Sequence, residues 1–404
     1  MAVTIPVSSN SSRAVPGTLE TSRVSGAEWP IYAVLAASVA IVVGLIWDIS
    51  WHRTIGRDTF WSPPHLMEQV GAIVAGLTCG YVALHTTFAG SAAEREKSVR
   101  FWRFFQAPLG VWVCVWGTIT MITSAPFDNW WHNAYGLDVK IISPPHFVLA
   151  AGMIGIELGA MLMALGAQNR ATSESSKSRL STLFMLSAAV IVVMAAVMIT
   201  EYAAFANSMH GSMFYRATGL VFPVFLVAFA RASRVTWPAT RIAVMYMLIM
   251  MISIWILQLV PGTPKLAPIY NPVTHMVPPA FPLLLIFPGI AIDLILARSQ
   301  QKNDWLRAVI IGVAFVAVML AVHWFWAYFM MSPYARNYFF AADQWDYTNR
   351  LGEWQYRFWD RDLDAAGKWS VTGFARGMGI AVLLAILSSR LGLAWGKGLA
   401  RVKR

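Results

Sequence analysis

Apolar runs recur along the whole chain, near positions 30–48, 64–88, 108–126, 145–167, 183–204, 214–231, 239–260, 275–297, 306–330 and 372–392. Each is close to the roughly 20 residues that a helix needs to cross a hydrocarbon core. The runs are apolar on every face, which fits helices surrounded by lipid or by other helices better than the amphipathic helices of a water-soluble protein. Short polar connections separate them, and none shows the alternating segments of a membrane barrel. The expected fold is an all-α integral membrane protein of about ten transmembrane helices arranged as repeated helical hairpins.

Composition agrees, with 57% hydrophobic and 13% charged residues and a mean hydropathy of +0.55. So little charge cannot cover the surface of a soluble globule. The net charge of +11 changes the picture only through its placement. Basic residues gather in alternate connections: Arg95, Lys97, Arg100 and Arg103; Arg170, Lys177 and Arg179; Arg231, Arg234 and Arg241; Arg298, Lys302 and Arg307; then Arg390, Lys397, Arg401, Lys403 and Arg404 near the end. That pattern orients a chain in the plasma membrane rather than on nucleic acid, with basic loops and both termini cytoplasmic. The other connections then face outward.

The chain divides into a tail at 1–27, rich in Ser, Thr and Val and read as disordered and cytoplasmic; two hairpins at 28–170; a helical scaffold at 171–331; an outer loop at 332–370; and the last helix with its basic tail at 371–404. The mixture of aromatic and charged residues in 332–370 suits a cap lying in the membrane interface. Cys79 and Cys114 fall mid-helix, where a thiol behaves as a small hydrophobe.

Candidate chemistry sits in a duplication. Aligning from Asp48 and Asp128 pairs Trp51 with Trp131, His52 with His132, Gly56 with Gly136, Asp58 with Asp138, and Ser62-Pro63-Pro64-His65 with Ser143-Pro144-Pro145-His146, one residue being inserted in the second copy. Many of these are rare residue types, and each copy joins an outgoing to a returning helix, so the segment reads as a repeated hairpin. Later hairpins keep less of it: Glu201 and His210 in the third, and His275 beside Pro278 and Pro279 in the fourth.

Asp48 and His52, spaced i and i+4, share one helix face. His65 enters from the next helix just after Pro63 and Pro64, which are at home in a first helical turn and stiffen it. Asp48, His52 and His65, and in the second copy Asp128, His132 and His146, are therefore candidate metal ligands. One carboxylate and two imidazoles suit copper, zinc or non-haem iron. Asp58 and Asp138 could accept the other imidazole N–H and fix the tautomer. Glu68, three residues after His65 and on its face, could act as a fourth ligand or proton acceptor, so Asp58 and Glu68 are the candidate proton-handling residues. The competing reading makes these His and Asp caps or headgroup contacts within a belt of Trp47, Trp51, Trp61, Trp130 and Trp131.

The first copy, with Trp51 before His52, Arg57-Asp58-Thr59 in the connection and Ser-Pro-Pro before His65, resembles the copper-binding signature of the C subunit of the particulate methane and ammonia monooxygenases. The resemblance covers about twenty residues at full strength, and the second copy departs from it by the insertion and by Leu137 and Val139. It implies copper on Asp48, His52 and His65, oxidation of a small apolar substrate with dioxygen, and further membrane subunits or a homo-oligomer as partners alongside the lipid bilayer. A non-catalytic copper-handling or assembly protein is the alternative.

Among other groups, Met209-His210-x2-Met213 offers soft donors, His85 and His323 read as histidines satisfied by neighbouring helices, and Asp293 and Arg298 read as snorkelling. No Walker loop, dinucleotide fingerprint or nucleophile elbow is present in the sequence.

Overall fold

The computed structural model describes residues 28–136, 143–199, 211–299, 303–350 and 370–403. The expectations for the 1–27 tail, Asp138, Glu201, Met209, His210 and most of the second half of the 332–370 loop lie outside the described residues. The described chain is all-α except for one small hairpin, with α1 (Trp29–Thr54), α2 (Pro63–Phe88), α3 (Ala92–Glu96), α4 (Leu109–Tyr135), α5 (Pro144–Arg170), α6 (Glu174–Met198), α7 (Ser212–Ala232), α8 (Pro238–Leu257), α9 (Ile286–Arg298), α10 (Asp304–Met331) and α11 (Val371–Leu399). Strands β1 (Val99–Phe101) and β2 (Phe105–Ala107) pair antiparallel, Phe101 opposite Phe105, between α3 and α4.

Nine of the described helices are long and apolar enough to cross a membrane. The difference from the expected ten lies at 275–297, which is not one helix: the chain is irregular through 275–285 and helical only from Ile286. Pro278, Pro279 and Pro282 explain this, because each lacks an N–H and clashes with the preceding turn. Irregular backbone is tolerated at such depth only where protein satisfies it. Here it is satisfied: the N–H of Met276 donates to Val260 O (2.9 Å), that of Val277 to Thr54 Oγ1 (2.7 Å) and that of Leu283 to the buried Tyr246 hydroxyl (3.1 Å).

Helix α6 is the most enclosed, with α1, α5, α7 and α8 around it. The hairpins α1–α2 and α4–α5 pack on each other through α2 against α4 and α1 against α5, while α7 lies along α11 and α10 packs on α11. Small residues make these approaches possible. A Cβ on Gly117 of α4 would lie 2.5 Å from Ile156 N of α5, and one on Gly396 of α11 would lie 2.6 Å from Ala228 O of α7. Such close backbone contact is a recurrent way for membrane helices to associate.

One end of the bundle gathers both ends of the described chain. Arg179 forms two 2.9 Å bonds to Glu28, and Arg170 donates to Lys403 O. Asp293, expected to snorkel, instead accepts from the N–H groups of Ala239 (3.0 Å) and Thr240 (2.9 Å) and from the Thr240 hydroxyl (2.7 Å). It caps α8 from a neighbouring helix, where Trp237 precedes Pro238 and offers no capping side chain. Asp293→Ala is expected to cost about 1–2 kcal/mol, as loss of a helix cap does, read as a lowered thermal midpoint in detergent with no change at the opposite end of the bundle.

Candidate metal centre

The opposite end carries the turn between α1 and α2, and local chemistry dictates its shape. Gly56 closes α1 at φ 81°, a conformation that favours glycine, with its N–H on Trp51 O. The Trp51 indole N–H donates to Arg57 O (3.0 Å). Ser62 precedes the Pro63-Pro64 start of α2, and its hydroxyl accepts the Thr59 N–H (2.9 Å) while its own N–H donates to Thr59 O (2.9 Å). The turn is thereby folded back on itself, and it brings Asp58 under the side chains of α1 and α2.

Four side chains converge there. His65 Nε2 lies 3.0 Å from Asp48 Oδ1 and 3.4 Å from Asp58 Oδ2; His52 Nε2 lies 3.7 Å from Asp48 Oδ2 and 3.5 Å from Asp58 Oδ2. One donor atom from each of Asp48, His52, Asp58 and His65 falls within 4.8 Å of all the others. Donors held at about 2.0–2.2 Å stand about 2.8–3.1 Å apart at right angles on a tetragonal ion and about 3.3–3.6 Å apart on a tetrahedral one, so the spacing is close to that around a shared cation.

The tautomer of His65 sharpens this. Its Nδ1 is 2.9 Å from Thr59 O, and because a carbonyl only accepts, Nδ1 carries the hydrogen. A neutral His65 would then point the Nε2 lone pair at the buried Asp48 Oδ1. Two acceptors 3.0 Å apart repel unless positive charge lies between them, as an imidazolium proton or a metal ion. An imidazolium Nε2–H satisfies this contact as an ion pair, and the four donors could hold a divalent cation in place of that proton, with Thr59 O fixing the ring as a carbonyl partner of a metal-bound histidine does.

Asp58 differs from its expected place. It faces the same Nε2 atoms as Asp48 rather than the outer N–H of either ring, so it stands with the donors. Glu68 is not among the four; it is buried one turn below His65 against Gly44 of α1, whose Cβ would lie 2.7 Å from Glu68 Cγ. The cluster is enclosed on the Asp48 side (17% exposed) and open at His52 (49%).

The second copy shares part of this geometry. Gly136 has φ 88°, His132 Nδ1 faces its carbonyl at 3.2 Å, and His132 Nε2 is 3.3 Å from Asp128 Oδ2. His146 instead turns Nδ1 toward Ser143 Oγ at 2.9 Å, an oxygen whose counterpart in the first copy is engaged by Thr59 N–H. Among the described residues only the first copy assembles three or more such donors.

Comparison of the chain with family models, with curated proteins and with solved structures finds no match. The other histidines among the described residues fall elsewhere: His85 is exposed and stacks on Tyr81, His275 is exposed beside Thr274, and His323 is buried and stacks on Phe214. Thr59, whose carbonyl faces His65 Nδ1, has no sequence signal of its own, since a backbone carbonyl is supplied by any residue type.

Proposed function

We propose that the chain is a multi-pass membrane protein that holds copper on Asp48, His52, Asp58 and His65. The observation that carries this reading is the convergence of one donor atom from each of Asp48, His52, Asp58 and His65 within 4.8 Å of all the others. Copper is favoured over zinc or non-haem iron by the resemblance of residues 47–65 to the monooxygenase copper signature and by the general affinity order, in which copper(II) leads. The basic residues of alternate connections support, by the positive-inside rule, an assignment of the centre to the outer face of the plasma membrane and of both termini to the cytoplasm. The duplicated hairpin supports Asp128, His132 and His146 as a second, weaker candidate site, one that would need His146 to turn away from Ser143.

In this reading the protein is a copper-dependent oxidoreductase, or a subunit of one joined by other membrane subunits or copies of itself. Copper supplies redox chemistry with dioxygen. The overall reaction places one oxygen atom in a small apolar substrate and releases the other as water, consuming two electrons and two protons from an external donor. Asp48, His52 and His65 hold and orient the ion. Asp58 Oδ2, reaching both imidazoles, can hold the ion or accept a proton at the open side. Glu68 provides a buried carboxyl one turn below. The half-exposed His52 also favours a second reading, copper handling or assembly, because an open ligand eases exchange with a carrier.

Metal analysis with electron paramagnetic resonance on the purified protein tests the centre. A tetragonal copper(II) signal with nitrogen hyperfine structure is expected; copper that shows no nitrogen coupling sinks the assignment. Dioxygen uptake that depends on an apolar substrate and a two-electron donor separates turnover from handling.

A further inference from the structure

The turn that carries the cluster is gripped from outside the repeat. Arg53, next to His52, donates through Nε to Asp346 and through Nη1 to Pro278 O (2.5 Å). Its own carbonyl accepts the Tyr347 N–H (3.2 Å), and Tyr347 O in turn accepts the N–H groups of Tyr270 (2.9 Å) and Asn271 (3.0 Å). One residue further, the Thr54 hydroxyl donates to Ser50 O and accepts the Val277 N–H, both at 2.7 Å, and Ile55 O accepts the Lys265 N–H at 2.9 Å. Gly56 is pressed against the ring of Tyr347 so closely that any Cβ would collide with its hydroxyl. Two distant segments, at 265–278 and 346–347, thus meet the end of α1 at the turn that joins the candidate ligands.

The second copy lacks the two side chains that make this grip. Asn133 stands where Arg53 does and Ala134 where Thr54 does, so both the guanidinium and the hydroxyl are missing. Yet Asp128 and His132 are spaced as Asp48 and His52 are. The copies therefore share the spacing of these two candidate ligands and differ in what holds the end of that helix, as well as in the turn of His146 toward Ser143.

We propose that Arg53 is a positioning residue, clamped by Asp346 and Pro278 O, that fixes the α1 half of the metal centre, and that the lack of this clamp leaves the second copy a much weaker site. The inference rests on the metal-centre reading above. Its physical basis is pre-organisation. A ligand set held near its bound geometry loses less conformational freedom when the ion arrives, and removing a supporting partner costs roughly 10- to 100-fold in metal affinity. The outer loop is then a brace for the centre as well as an interfacial cap.

The test is copper(II) titration of the purified full-length protein against a competing chelator, with the resonance spectrum recorded for each variant. Arg53→Gln and Asp346→Asn are each expected to weaken binding at least about tenfold and to alter the nitrogen hyperfine pattern, and the double variant to be little worse than either, because both break one contact. Asp346→Asn keeps Arg53 and its bond to Pro278 O, so it serves if Arg53→Gln does not fold. Wild-type protein is expected to hold one tightly bound copper per chain, unaffected by His132→Ala. If both clamp variants bind copper with wild-type affinity and spectrum while His52→Ala loses it, the clamp is wrong and the centre stands. If His132→Ala lowers the tight stoichiometry as His52→Ala does, the weakness assigned to the second copy is wrong. If His52→Ala leaves copper untouched, the centre fails and the clamp with it.

Discussion

His52→Ala is expected to abolish metal binding at the first site while the protein inserts and folds as before. The ring is half exposed, so its removal sacrifices little packing, and substitutions away from buried features change stability by about 0.5 kcal/mol or less. At the site the loss is direct. His52 Nε2 is one of four donors drawn together over Asp48 and Asp58; without it two carboxylates and one imidazole remain, with a wider opening to solvent. Binding should fall by more than the roughly 10- to 100-fold that accompanies loss of a supporting group. The geometry also alters what is expected of Asp58. As an acceptor for an outer imidazole N–H, its change to Asn would only weaken binding, but it faces the same nitrogens as Asp48. Asp58→Asn should therefore cost about as much as Asp48→Asn. Metal stoichiometry at fixed free copper reads all three variants, and retention of copper by His52→Ala, with wild-type melting behaviour, removes His52 from the ligand set.

What could be read in the sequence follows from the range of the interactions involved. Helix existence rests on local hydropathy, and nine of the ten apolar runs are long helices or end in them. The exception, 275–297, satisfied the hydropathy criterion but carries Pro278, Pro279 and Pro282, whose effect on backbone geometry a hydropathy average ignores. Asp48 and His52 are brought together by helical spacing alone, and the Pro-Pro start of α2 delivers His65 across a short turn, so these three were visible. Asp58 was visible as a residue but not in its placement, because which imidazole nitrogen it meets depends on how Thr59 and Ser62 fold the turn back. The contacts of Arg53 with Asp346 and of Asp293 with the start of α8 were hidden, because each joins positions far apart in sequence and no local pattern marks either partner. His146 shows the converse limit: it keeps its place in the repeat, yet its ring turns to Ser143.

Gly117→Val is expected to destabilise the protein by at least about 3 kcal/mol, at or beyond the upper end of what overpacking a core costs. Helices α4 and α5 meet backbone to backbone. A Cβ on Gly117 would lie 2.5 Å from Ile156 N, 2.7 Å from Gly155 C and 2.9 Å from Gly152 O, and one on Gly159 would lie 2.8 Å from Cys114 N. These obstacles are main-chain atoms, which cannot rotate aside as a side-chain tip can, so the two helices must separate along the whole contact. In lipid no hydrophobic driving force opposes that separation, since acyl chains are as apolar as the side chains they replace; close packing supplies the association energy and is lost directly. The control is Gly379 in α11, where a Cβ would meet nothing within 4 Å. Gly379→Ala should be neutral or stabilising by up to about 1 kcal/mol, the difference in helix propensity. Unfolding midpoints in mixed micelles compare the two variants. Equal midpoints for Gly117→Val and wild type would mean that α4 and α5 do not touch at these glycines. The consequence for function is specific: α4 and α5 carry Asp128, His132 and His146, whereas the first centre depends on α1, α2 and the clamp at Arg53. Any Gly117→Val protein that still folds should therefore keep its tightly bound copper.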